Sequence, residues 1–256
     1  MEKNVAVITG ASSGLGREYV KLLLPKQEIE EIWAIARHQG KLDQLKQEFG
    51  EKIRTFSIDL SVPNNAIAVQ NILRQEQPRI VYLINSAGYA KFGSYKDIGI
   101  KESINMIELN CEGTVAMCLA CIPYMPQGSH LLNIASQASF QPLPYLNLYS
   151  ATKAFLRNYS RALNIELKDQ GIAVTAVCPG WMDTSLFDRA EIGAKKAPHN
   201  FPGMTSPQKV AVKSLRDAQK GKDCSVYSLY VKLCHGAAKL LPQKIMMNLW
   251  LTQQKL

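Results

Sequence analysis

The sequence predicts an α/β fold, a doubly wound parallel sheet with helices on both faces, and three observations carry that reading. Short apolar runs alternate with segments of helical period through the first 184 residues, which is the pattern of βαβ units. Several of these runs, such as Ile80-Val81-Tyr82-Leu83-Ile84, are almost continuously apolar, as strands covered on both faces are. A glycine-rich turn, Thr9-Gly10-Ala11-Ser12-Ser13-Gly14-Leu15-Gly16, separates the first run from the first helical segment. In doubly wound sheets a turn at that place borders the ligand crevice.

The elements follow in order. Strands are expected at 5–8, 32–36, 53–58, 80–84, 130–134 and 172–177. Helices are expected at 15–24, around Leu42, Leu45 and Phe49, at 66–73, and in long stretches on either side of the fifth strand. Right-handed crossovers place those helices on both faces and the crevice beyond the carboxyl ends of the strands. No repeat, low-complexity segment or Pro/Gly-rich linker divides the chain, so residues 1–256 read as a single domain. Within it, residues 185–205 carry Gly193, Pro198, Pro202 and Gly203 and read as a loop that forms a substrate lid. Residues 227–256 read as a helical tail: Leu229, Leu233, Ala237 and Leu240 keep helical spacing, and Pro242 opens a further helix with Ile245, Met246, Leu249 and Trp250.

Composition narrows the function classes. With 46% hydrophobic and 20% charged residues the chain can bury a large core and is unlike a disordered one. Its apolar runs fall short of the roughly 20 residues of a membrane-spanning helix. Strand-like sequence from Asn4 leaves no room for a secretion signal, so a cytoplasmic protein is expected. Cys118-Leu-Ala-Cys121 is the one CxxC; without a second pair or histidines at ligand spacing, its cysteines read as small buried hydrophobes. The net charge of +9 is uneven, with 18 Lys+Arg against 17 Asp+Glu in 1–184 and 12 against 4 in 185–256. No aromatic platform or recognition motif accompanies it, so nucleic acid is not the expected partner. The basic end faces an anionic substrate, an anionic partner, a membrane surface or simply water.

Glycines in the turn allow a tight bend and a close approach to a pyrophosphate, which the first helix receives on its free N–H groups. Gly10, Ser12, Ser13, Gly14, Leu15 and Gly16 are the candidate residues. Gly10-Ala11-Ser12-Ser13-Gly14 also matches the G-x-S-x-G of serine hydrolases, with His130, His199 and His235 as possible bases. That elbow normally follows several strands, whereas this one follows the first, and Gly16 would have no role. The second strand ends Ala36-Arg37-His38 without the carboxylate that would bind the 2′-hydroxyl of NAD. A guanidinium suits a 2′-phosphate, so Arg37, with Arg17 as a second cation, favours NADP(H) and leaves NAD(H) possible. Asp59 and Leu60 end the third strand, where the carboxylate can meet the adenine amine. At the end of the fourth, Ala87 and Gly88 let backbone run beside the cofactor ribose while Asn85 braces the strands.

Tyr149 and Lys153 lie one helical turn apart on one face. Tyrosine ionises near pH 10, and a neighbouring ammonium lowers that value, so Tyr149 is expected to pass a proton to or from a substrate oxygen. Ser136, after the fifth strand, can hold the same oxygen as charge develops on it. Asn110 stands in an apolar helical region, where a kink and a water could link it to Lys153.

These residues carry a resemblance over essentially the full length. Thr9-Gly10-x-x-x-Gly14-x-Gly16, Asp59, Asn85-Ser86-Ala87-Gly88, Asn110, Ser136, Tyr149-x-x-x-Lys153 and Pro179-Gly180-x-x-x-Thr184 are similar to the motifs of the short-chain dehydrogenase/reductase family. The resemblance implies a Rossmann-type sheet and an NAD(P)-dependent oxidoreductase that acts on a CH–OH group without a metal. It implies a catalytic tetrad of Asn110, Ser136, Tyr149 and Lys153, with Pro179, Gly180 and Thr184 at the nicotinamide end. It also implies a homodimer or homotetramer built on the helices holding Asn110 and Tyr149. Ser86 departs from the family's usual second asparagine. The tail lacks the glycine-rich closing strand of bacterial ketoacyl-carrier-protein reductases and loosely resembles hydroxysteroid-type members.

The expected substrate is a hydrophobic carbonyl or secondary alcohol, a hydroxysteroid first, chosen by residues 137–148, with Phe140, Leu143, Pro144, Tyr145 and Leu146, and by 185–205. A 3-oxoacyl or other small ketone reductase is the alternative within the class; a non-catalytic cofactor-binding sensor or scaffold is the alternative outside it. The tail, with Lys232, Lys239 and Lys244, is expected over the pocket, at a dimer interface, or in peripheral contact with a membrane.

Overall fold

Among the described residues, which are 2–62, 64–184 and 186–256 of the computed structural model, seven strands form one sheet. These are β1 (Asn4–Thr9), β2 (Glu31–Ala36), β3 (Ile53–Ser57), β4 (Arg79–Asn85), β5 (His130–Ile134), β6 (Ala173–Cys178) and β7 (Cys224–Val226). All pair in parallel, in the order β3-β2-β1-β4-β5-β6-β7. The chain runs outward from β1 to β3, then returns to β1's other side and runs outward again. The strand order therefore reverses at β1, and a crevice opens beyond the carboxyl ends of β1 and β4.

Alternate strand residues feed two cores. Ala6, Ile8, Ile32 and Ala34 face α1 (Gly14–Leu23), α2 (Gln39–Phe49) and, later in the chain, the helix at Pro207–Gln219. Val5, Val7, Trp33 and Ile35 face α3 (Asn65–Glu76), α5 (Thr114–Cys121), which follows α4 (Ile100–Ile107), and α6 (Asn147–Glu166). α1 shows how the sequence makes such a helix: Leu15, Tyr19, Val20 and Leu23 recur at helical spacing and are all buried. Each fully buried aliphatic side chain contributes about 1.5–3 kcal/mol relative to exposure. The run Ile100–Tyr124 is long and apolar enough by length and composition to cross a membrane. Its α5 residues Met117, Cys118 and Cys121 instead pack in the second core.

After β6 the chain differs from the expected loop. α7 (Leu186–Ala190) and a bridge between Met182 and Thr205 organise the segment; Ser185, where the expected lid begins, lies outside the described residues. Then come α8 (Pro207–Gln219), β7, α9 (Leu229–Leu240) and α10 (Gln243–Gln254). Neither α8 nor β7 was expected: β7 has three residues, too few to show a period.

Asp217 ties these last elements down. It is 4% exposed and receives hydrogen bonds from Lys213 (2.5 Å) and Lys222 (2.8 Å), and from the Ser225 hydroxyl of β7 (2.8 Å). Burial alone would raise its carboxyl, but those three donors outweigh it and hold the group at about 2. A carboxyl depressed on folding stabilises the protein above its ordinary value near 4 and loses that contribution as pH falls toward 2. Asp217→Asn is expected to destabilise the protein by about 2 kcal/mol at pH 7 and to flatten the stability–pH curve between about 4 and 2. Urea denaturation of both proteins across that range checks this, and parallel curves would count against it.

Candidate active site

The turn after β1 is packed with no room for side chains. Gly10 has φ +64°, and a Cβ there would stand 2.9 Å from the Ala87 amide nitrogen. A Cβ on Gly16 would fall 2.3 Å from the Gly10 carbonyl oxygen, so α1 starts almost in contact with the turn that precedes it. Thr9 Oγ1 accepts the N–H groups of Ser86 and Ala87, each at 3.1 Å, which fixes the end of β4 beside the turn. Ser13 occupies the N-cap position of α1 without a side-chain cap bond. The first-turn N–H groups are thus not taken by the Ser13 hydroxyl.

At the end of β2 Arg37 is exposed, donates from Nε to His38 Nε2 at 3.0 Å, and lines a cavity of about 960 Å³ together with Lys41. Lys41 stands four residues on, in the first turn of α2, a helical spacing that the sequence contained but did not flag. Arg17 is turned elsewhere: it pairs with Glu48 and lies over the Phe49 ring, so it adds no cation to this cavity. Asp59 accepts from the Ser61 amide (3.0 Å) and hydroxyl (2.7 Å). Burial would raise its carboxyl, yet these bonds and the charges of Arg37 and Arg189 hold it below the usual range. Leu60 is buried beside it on the cavity wall.

Asn110 lies in a π-helical turn, Glu108–Gly113, between α4 and α5. Its side chain makes three hydrogen bonds: Oδ1 accepts the Tyr89 N–H (3.0 Å), while Nδ2 donates to the Tyr89 carbonyl (3.0 Å) and to Thr152 Oγ1 (3.1 Å). It thereby clamps the loop that follows Gly88 to the helix that holds Lys153. A Cβ on Gly88 would meet Asn110 Oδ1 at 2.9 Å and Lys153 Nζ at 3.5 Å, so all three crowd one point. Asn85 donates to Asn133 Oδ1 (2.9 Å), and Asn133 to Ser160 Oγ (2.9 Å), bracing β4 to β5 and α6. Asn85 Oδ1 is buried without a partner.

Ser136, Tyr149 and Lys153 meet on the cavity wall. Ser136 Oγ caps the short 3-10 turn Gln137–Phe140 by accepting the Ala138 N–H at 3.1 Å. Lys153 is buried, donates to the Ile134 carbonyl at 2.6 Å, and stands 5.6 Å from the centre of the Tyr149 ring. Burial brings its ammonium down to about 8, with Cys111 and Cys178 pulling the other way. The expected lowering of Tyr149 is not found: burial pushes its phenol up to about 12, and Ser136 offsets this only in part. Taking a charge out of water outweighs an ammonium that is itself poorly solvated and directed to a carbonyl.

Gly10, Ser12, Ser13, Gly14 and Leu15 line one end of the cavity. Ala87, Gly88, Pro179, Gly180 and Thr184 line its middle, where the Pro179 carbonyl accepts the Gln137 N–H at 2.8 Å. Gly16, Asn85 and Asn110 stand behind the wall rather than on it. The far end is aromatic and apolar. Trp181 packs within 4.8–6.5 Å, centre to centre, of Phe92, Phe187, Phe201 and Trp250, and Trp250 Nε1 donates to the Pro144 carbonyl at 3.0 Å. Phe140, Leu143 and Leu146 line the cavity, as do Leu186, Phe187 and Arg189 of α7, while α9 and α10 roof it with Tyr230, Leu233, Met246 and Leu249. The role of Tyr89, whose backbone Asn110 holds, had no sequence signal; it depends on two loops meeting.

Comparison with known proteins agrees with this geometry. The family model described as short chain dehydrogenase matches residues 4–194. An uncharacterized oxidoreductase of Staphylococcus epidermidis is 30% identical over 198 residues, which cover 77% of this chain and 85% of that protein. A short-chain dehydrogenase from Sphingobium yanoikuyae, solved in complex with NADPH, superposes with a TM-score of 0.78 at 28% identity over 95% of each chain. A short-chain dehydrogenase/reductase from Burkholderia phymatum, in complex with NAD, gives a TM-score of 0.78 over 93% of this chain and 95% of that one; at 18% identity it speaks for the fold alone. The chain belongs to the short-chain dehydrogenase family, as an NAD(P)-dependent oxidoreductase.

Proposed function

We propose that the chain interconverts a carbonyl and a secondary alcohol on a hydrophobic substrate, preferring NADP(H), with a hydroxysteroid as the leading candidate. The observation that carries this is the meeting of Ser136, Tyr149 and Lys153 on the wall between a glycine-lined groove and an aromatic pocket. The groove fits a dinucleotide, because Gly10 lets the turn close on Ala87, Gly16 lets α1 start against that turn, and the α1 N-terminus keeps N–H groups free of a side-chain cap. Gly10, Ser12, Ser13, Gly14 and Leu15 would hold the pyrophosphate, and Asp59 and Leu60 the adenine. Ala87, Gly88, Pro179, Gly180 and Thr184 would border the nicotinamide, which when bound supplies or accepts the hydride.

The chain's own residues handle the proton. With its phenol near 12, Tyr149 is protonated at neutral pH and can give its Oη proton to the substrate oxygen as that oxygen gains charge. Ser136 Oγ–H donates to the same oxygen. The Lys153 ammonium favours the phenolate left behind and the ribose hydroxyls beside it; in oxidation the phenolate takes the proton back. Asn110 acts at one remove, fixing Tyr89 and Thr152. Residues 185–205 would serve as the lid that keeps water from the reacting atoms.

NADP(H) preference is supported by Arg37 and Lys41 at the end of β2, where no carboxylate stands, and by the NADPH bound in the Sphingobium yanoikuyae relative. Exposed Ile100, Ile104 and Leu119 on α4 and α5, and Phe155 and Ile165 on α6, support a homo-oligomer formed on those helices.

Tyr149→Phe is expected to keep NADPH affinity within about threefold while turnover falls by about 10²–10⁴; unchanged turnover would remove the proposed proton donor. Arg37→Asp should move the NADPH-to-NADH affinity ratio toward NADH by at least about tenfold, read by nicotinamide fluorescence titration. The reading as a whole is tested by NADPH oxidation across a ketone panel that includes steroids. Tight NADPH binding with no turnover on any member would turn the chain into a sensor or scaffold.

A further inference from the structure

α9 has two apolar faces, and only one of them is packed against the rest of the protein. Val231 is buried against Gly180, and His235 stacks on Phe140 at 4.0 Å. On the other side Leu229, Leu233 and Leu240 recur at helical spacing and are 72%, 65% and 85% exposed. α10 extends this surface with exposed Ile245 and Leu249. Lys232 and Lys239 border the leucine stripe, Lys244 lies in α10, and residues 224–256 contain no Asp or Glu. A helix held to protein on one side, with an apolar stripe edged by lysines on the other, has the form of an interfacial helix. The surface is continuous with the cavity, since exposed Leu233, Leu249 and Ile192 also line it.

We infer that the outer face of α9 and α10 docks on an anionic phospholipid bilayer, with the cavity mouth at the lipid surface. A second copy of this chain fits the face less well. A two-fold contact sets a patch against itself, which here would bring lysines onto lysines with no carboxylate to pair them. The exposed apolar residues of α4–α6 are different, being interspersed with Glu102, Glu108, Glu112 and Glu166. An anionic headgroup layer meets both features of the tail: the stripe enters the interface, and each lysine near the surface raises partitioning about fivefold. This inference rests on the surface alone and is independent of which carbonyl the enzyme reduces.

Sedimentation of the full chain with phosphatidylcholine vesicles, with and without phosphatidylglycerol, tests it. Binding is expected with the anionic vesicles and should weaken as salt is added. The double variant Leu229→Glu/Leu240→Glu should bind at least about tenfold more weakly. Neither residue lines the cavity, so its NADPH affinity and melting temperature should match those of the parent. Lys232→Gln/Lys239→Gln, which leaves the stripe intact, should lose roughly 25-fold at low salt. Absence of wild-type binding to anionic vesicles would overturn the inference, as would equal binding by both variants. So would light scattering in which the leucine variant splits an oligomer that never bound vesicles.

Discussion

Much of this molecule depends on how closely β1 and β4 can deliver their loops to one another. Thr9 Oγ1 holds two amides of the β4 loop, and Gly10 lies so near Ala87 that no Cβ could enter. The contact is made by omitting side chains, which costs chain entropy and returns a groove whose walls are backbone. Backbone donors sit where the hydrogen-bond ladder holds them, so the groove binds by position rather than by adjustment. Everything further along the cavity is measured from this junction: the β4 loop leaves the sheet at Gly88, where a side chain would run into Asn110 and Lys153.

Ser136, Tyr149 and Lys153 show the opposite economy, with polar groups kept where solvation is poor. Lys153 and Tyr149 are both moved against their charged forms by burial. In isolation that would make a poor acid and a poor base. In the proposed reaction, drawing the phenolic proton toward a developing alkoxide would make each partner's unfavourable charge the other's stabilisation. Asn110, hydrogen-bonded to Tyr89 and Thr152 behind the wall, contributes rigidity at this point.

The sheet, the glycine turn and the residues of the cavity wall were legible in the sequence because each depends on local pattern: apolar runs, a spacing of glycines, two residues a helical turn apart. What escaped had no local signature. β7 is three residues long and is held by Ser225 reaching Asp217 in α8, a contact between elements that sequence period cannot register. Arg17 has the right neighbour in sequence, yet Glu48 and Phe49 claim it from α2. Tyr149's upward shift follows from burial, a property of the whole surround, whereas the sequence displayed only its partner Lys153.

The buried ammonium of Lys153 has a consequence outside catalysis. Its pKa near 8 lies below the ordinary lysine value, so folding pays against the charged form. That penalty is complete at neutral pH and lifts only as pH rises from about 8 toward 10.5. The fold thus carries, at neutral pH, the cost of keeping an ammonium out of water. Opening rates and proteolytic loss both follow such differences. The buried lysine is therefore a point where rising pH strengthens rather than weakens the fold.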